Sequence, residues 1–136
     1  MTPSPRIRLS LIVLAAAALA AGCAAPPPPA PPPTGLSEVM ERPAERSLLE
    51  GIRAYDDGQY AQAEKALRKA LADGLQSARD RATAHKLLAF ITCTSDRLAD
   101  CQTQFREARA ADASFALSRS EAGHPVWGPV YKSLSQ

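Results

Sequence analysis

Aromatic side chains are scarce in this chain: three Phe, three Tyr and one Trp among 136 residues, with only two histidines. Nowhere do basic residues interleave with aromatics, the arrangement that stacks bases while neutralising phosphates, so nucleic acid is not an expected partner. The histidines stand alone at 85 and 124, away from ligand spacing to any cysteine, and no zinc motif is written in the chain. A nucleophile–base arrangement and a glycine-rich phosphate loop are missing too. The acids Asp56, Asp57, Asp73 and Asp112 fall near expected helix ends and turns, where a solvated structural role suffices. The expectation is therefore no enzyme, with no cofactor, metal or small-molecule substrate. A long apolar run is also lacking. The longest, Leu9 to Ala21, is broken by Ser10 and falls short of the roughly 20 residues that span a bilayer.

What stands there is more specific. Arg6 and Arg8 precede the short apolar run, and small residues close it at Leu19-Ala20-Ala21-Gly22-Cys23. A basic flank, a short apolar stretch and small residues before a break mark an export signal. The final cysteine goes further, because Ala-Ala-Gly-Cys resembles the lipobox of bacterial lipoprotein precursors. In that family a leucine usually stands three residues before the cysteine, where this chain has Ala20. The resemblance implies a diacylglyceryl thioether on Cys23, removal of residues 1–22 and acylation of the new N-terminus. Each buried methylene contributes about 0.8 kcal/mol, so several chains together would hold the protein firmly at a membrane. Ala24, rather than Asp, follows the cysteine, which by the same resemblance implies the outer membrane, facing the periplasm.

Residues 24–35 contain seven prolines. Proline fixes φ and removes the amide donor, so neither helix nor sheet is expected. An extended polyproline-II tether at about 3.1 Å per residue would reach roughly 35–40 Å. Proline runs also serve as ligands for aromatic grooves, though beside a lipid anchor the spacer reading fits better. Three regions follow: 1–22 signal peptide, 23–42 lipidated cysteine and tether, 43–136 folded domain.

Removing the signal changes the electrostatics. The chain has 16 Lys+Arg and 14 Asp+Glu; two arginines and no acid lie before Cys23, so residues 23–136 are formally neutral. The isoelectric point of 8.6 belongs to the whole chain and carries no hint of a polyanionic partner. Two further cysteines remain, Cys93 and Cys101. In an oxidising compartment such a pair suggests a disulfide. Two buried thiols, or a metal site with His85 and His124, are the alternatives.

From Leu36 onward Ala, Leu, Arg, Glu, Gln and Lys dominate, and Gly and Pro fall at joints, which predicts an all-α domain. Four main helices are expected: about 43–57, opened by Pro43 and broken at Gly58; 60–72, ended by Gly74; 77–94, capped by Ser77; and 97–111, with Leu98, Cys101, Phe105 and Ala108 on one face. Residues 51–71 read Gly51-x6-Gly58-Gln59-Tyr60-x2-Ala63-x3-Leu67-x2-Ala70-Leu71, which resembles the tetratricopeptide repeat. Small residues at 51, 63 and 70 let antiparallel helices approach, while Tyr60 and Leu67 are expected to fill the groove between them. Residues 85–112 repeat the pattern loosely, with Phe105 matching Leu67 at a period of about 38 residues. Ser47 departs from it, standing where a large residue is usual. Cys93 would then end one helix and Cys101 begin its antiparallel neighbour, where Cα atoms can come within the roughly 4.4–6.8 Å that a disulfide needs.

The expected fold is thus two tetratricopeptide-like hairpins plus a C-terminal capping segment. Arg46, Leu49, Arg53, Lys86 and Phe90 are expected to line a partner-binding groove. In the tail, Ser118-Arg119-Ser120-Glu121 is a capping-box sequence, Gly123 ends the helix it opens, and Pro129 can open another. His124 is expected in a turn. Trp127, Val130 and Tyr131 either cap the last hairpin or offer a recognition site, since Trp and Tyr concentrate in binding hot spots. Taken together, the lipobox, the tether, the repeats, the Cys93/Cys101 pair, Phe105-Arg106-x-Ala108, Asp112-x2-Phe115-x-Leu117 and Gly123-His124-Pro125-x-Trp127-Gly128-Pro129 are similar to the TssQ-like lipoproteins associated with type VI secretion. That resemblance implies a protein-binding accessory at the cell envelope, its partners secretion-system or envelope components. A pilotin-like lipoprotein escorting an outer-membrane complex is the alternative.

Overall fold

The computed structural model describes Gly35 and residues 41–134. The expected signal peptide, Cys23, Ala24 and the proline run lie outside the described residues. Six helices follow in order among the described residues: α1 (Pro43–Asp56), α2 (Tyr60–Ala72), α3 (Ala78–Thr94), α4 (Leu98–Ala111), α5 (Arg119–Ala122) and α6 (Trp127–Ser133). There is no strand among the described residues. The fold is all-α, built from two helical hairpins, α1/α2 and α3/α4, with a short helical tail.

Each hairpin is drawn together by small residues facing large ones. Helix α1 buries Ala44, Ser47, Leu48, Gly51 and Ala54, the three-and-four spacing of one helix face. Gly51 is the closest approach: a Cβ there would lie 2.7 Å from Leu67 Cγ. Leu67 is fully buried between Ala63 and Ala70. The second hairpin uses Ala89, Cys101, Phe105 and Ala108 in the matching places, all buried. The 38-residue correspondence extends to the backbone. Gly58 has φ +73°, and Asp96, 38 positions later, has φ +59° in the matching turn.

Ser77 caps α3 by accepting from the Asp80 N–H at 3.2 Å. Arg81 holds the approach to that helix by donating to the carbonyls of Leu75 and Gln76. The stretch from Leu87 to Cys93 is buried without interruption, since α3 packs against both α2 and α4. Buried Thr92 satisfies its hydroxyl by donating to Leu88 O at 2.7 Å. Cys93 and Cys101 form a disulfide across α3 and α4, with Cα atoms 5.1 Å apart. His85 bonds Gln104 at 2.8 Å across the same hairpin. Neither alternative for the cysteines is realised.

Two apolar residues are not where the pattern put them. Tyr60 and Leu98 are 51% and 54% exposed. They are equivalent, each opening the second helix of its hairpin just after the left-handed turn, where that helix has not yet come alongside the first. Tyr60 instead meets Tyr55 edge-on, ring centroids 5.5 Å apart. The last helix also starts two residues before Pro129, which sits within its first turn, where its missing N–H has no helical acceptor to lose.

An ionic clamp joins the hairpins. Arg97 donates both guanidinium ends to Glu64, at 2.9 and 2.7 Å, and Arg68 reaches the same carboxylate. The Arg97 hydrogen bonds chiefly, with Arg68 behind them, hold Glu64 at about 2 against an ordinary 4.5, overcoming partial burial. A depressed carboxylate stabilises the fold above its unfolded pKa and loses that contribution as pH falls through the folded value. Glu64→Gln should therefore lower stability by about 1 kcal/mol at neutral pH, after allowance for solvent screening. The difference from wild type should vanish between pH 4.5 and 2. Urea unfolding at several pH values tests this; parallel curves for the two proteins would refute it.

Candidate partner-binding surfaces

The tail begins where α4 ends at Asp112. Its carboxylate accepts from the Ser114 hydroxyl and backbone N–H, which hold it below its ordinary pKa. Ser118 and Glu121 form the expected capping box around α5. Glu121 then serves two elements at once. One oxygen accepts from the Ser118 N–H and the other from Lys86 Nζ at 2.7 Å. Burial pushes the Glu121 carboxyl up, but these hydrogen bonds together outweigh it and leave it below its usual value.

Trp127 is the centre of the tail. Its Nε1 donates to Glu121 O at 2.9 Å. One ring face stacks on Phe90 of α3, centroids 4.2 Å apart, and the other on His124 at 3.3 Å. The Val126 N–H donates to His124 Nδ1, which makes that nitrogen an acceptor and seats the ring in the turn. Gly128 permits the geometry, since a Cβ there would fall 2.6 Å from Ala122 O. Further along, Tyr131 packs edge-on against Phe105 and Phe115, at 5.3 and 6.3 Å, with the Arg109 guanidinium over its ring. The tail thus covers α3 through Trp127 and α4 through Tyr131.

This divides the six residues expected to bind a partner. Lys86, Phe90 and Trp127 are brought together, but by each other and by Glu121; Phe90 is only 4% exposed. Phe90 and Trp127 seal the second hairpin, while Lys86, paired with Glu121, also lines a shallow groove of about 240 Å³ with Arg79, Thr83, Asp112 and Phe115. Arg46, Leu49 and Arg53 share a different surface. With Glu50, Ala54, Asp57, Gln59 and Gln62 they form an open groove of about 300 Å³ along the α1/α2 seam. A neighbouring groove shares Glu50 and Gln62 and continues past Lys65 to Lys69. Arg46, Glu50, Arg53 and Asp57 are all exposed. Among the described residues none of these four makes an ion pair, whereas Arg68–Glu64 and Lys69–Asp73 do so on α2.

No family model, curated protein or solved structure matches this chain. Among the described residues, no group of three or more His, Cys, Asp or Glu is placed to hold a metal ion, and no helix is long and apolar enough to cross a membrane.

Glu50, Asp57 and Glu121 were not singled out from sequence as surface-forming residues. For the first two the signal was available, as charges of alternating sign at three-and-four spacing on one helix face. Glu121 gave none beyond its capping box, because its second partner is 35 residues away.

Proposed function

We propose that this protein is a lipid-anchored scaffold of the bacterial envelope that binds other proteins and performs no chemistry itself. The observation that carries the reading is Leu19-Ala20-Ala21-Gly22-Cys23 behind a basic, short apolar segment. The helical domain supports it. Its second hairpin is closed by a disulfide and covered by its own tail, while the α1 face offers exposed Arg46 and Arg53 on either side of half-buried Leu49. Charged, flexible groups around an apolar residue favour recognition of another protein surface over enclosure of a small molecule. The chain would sit at the outer membrane, facing the periplasm, as an accessory of a type VI secretion system.

Replacing Cys23 by serine tests the anchor. The wild-type chain, expressed in a Gram-negative host, should lose residues 1–22, gain acyl mass and fractionate with the outer membrane. Cys23→Ser should gain no acyl mass. Crosslinking in intact cells should then recover envelope proteins with the wild type and lose them with the variant. Partners recovered equally from both would sink the proposed role of the anchor, and an unacylated wild type would sink the anchor itself.

A further inference from the structure

The α1 stripe reads Arg46, Glu50, Arg53, Asp57: plus, minus, plus, minus, at spacings of four, three and four. At 100° per residue these four side chains fall within about 60° of one another around the helix. Their order has a symmetry that a partner of arbitrary sequence would not require. Turned end for end, the stripe becomes minus, plus, minus, plus, the complement of itself. Its midpoint lies between Gly51 and Ile52, and both pairs, 46 with 57 and 50 with 53, are equidistant from it.

We propose that this stripe is a docking surface for a second copy of the chain, the two α1 helices lying antiparallel about a two-fold axis at the stripe's midpoint. Under such an axis, contacts come in reciprocal pairs. Arg46 of each copy faces Asp57 of the other, and Glu50 faces Arg53, giving four ion pairs from one helix pair. Leu49, half-buried beside the stripe, lies against the aliphatic stem of Arg53 of the second copy. The state of these side chains in the single chain agrees. Arg46 with Glu50 and Arg53 with Asp57 have the four-residue spacing at which Glu64 and Arg68 pair on α2, yet they stay unpaired and reach outward. A parallel arrangement would oppose like charges along the whole stripe and is disfavoured. The proposal rests on the α1 face being a protein-binding surface and names its occupant.

The test uses two full-length chains with different affinity tags, expressed together and extracted in detergent. Wild-type copies should co-purify at about 0.05 M salt and separate at about 0.5 M, where exposed charges are screened over a few ångströms. Arg53→Glu sets Glu against Glu twice across the axis, and Glu50→Arg sets Arg against Arg twice. Each variant alone should lose co-purification about ten-fold. A mixture of R53E with E50R restores every opposite pairing and should co-purify like wild type. That recovery also shows that both variants fold. Wild-type copies that fail to associate, single variants that associate undiminished, or a mixture that stays apart would each overturn the proposal. In intact cells, crosslinks from the α1 face to a different envelope protein, with no self-association, would overturn only the dimer and leave the scaffold reading standing.

Discussion

Phe105→Ala should remove about 3–5 kcal/mol of folding free energy, the range for emptying a buried aromatic site. Phe105 is fully buried on α4. Its ring lies 6.2 Å from Phe90 and 5.3 Å from Tyr131, so it joins the hairpin core to the tail cap. Losing it would leave a cavity and would also deprive both neighbours of an edge-to-face contact. A domain of this size has a total stability toward the lower end of about 5–15 kcal/mol. The variant is therefore expected to be partly unfolded at 37 °C, with its urea midpoint shifted far below wild type. A loss under about 1 kcal/mol would mean that the tail collapses into the vacated space and that the core is less committed than the packing implies.

Replacing Cys93 and Cys101 together by alanine should lower stability by about 2.5 kcal/mol, the chain-entropy value for a closed loop this short. The separation is only eight residues, so little unfolded-chain freedom is removed by the bond. Against that, both cysteines are buried and their Cα atoms already sit at an ordinary bonding distance. The alanine pair leaves the helix ends free to splay. Thermal unfolding of oxidised wild type, reduced wild type and the double variant would check this. Reduced protein and double variant should lie close together, both well below the oxidised form. If reduction leaves the melting temperature unchanged, the bond plays no part in stability.

Much of this architecture was legible because local chemistry writes it locally. Pro43, Gly58, Gly74 and Ser77 mark helix boundaries through dihedral limits and capping. Gly51, Ala63 and Ala70 mark close approach through size alone. The Cys93/Cys101 pair could be placed because a short hairpin brings neighbours in sequence together in space. What was not legible depends on how separate pieces dock. Phe90 looks like a groove residue by its helix position, yet Trp127, 37 residues on, covers it, and Lys86 is drawn to Glu121 from a comparably distant part of the chain. The Glu64–Arg97 clamp spans 33 residues and needs the stacking of two hairpins to exist. Tyr60 and Leu98 carry the right hydrophobicity for burial, but each helix begins before its neighbour is beside it.

The covalent link and the aromatic tail both belong to the second hairpin. The first hairpin has neither, and depends on the Gly51–Leu67 contact, its packing on α3 and one ionic clamp. Covalent restraint is therefore confined to the second hairpin, and the first is held by non-covalent contacts alone. The helix that carries the charged stripe is thus fixed in place by the apolar side it turns inward, and reducing agents that open the second hairpin would leave that stripe's own support untouched.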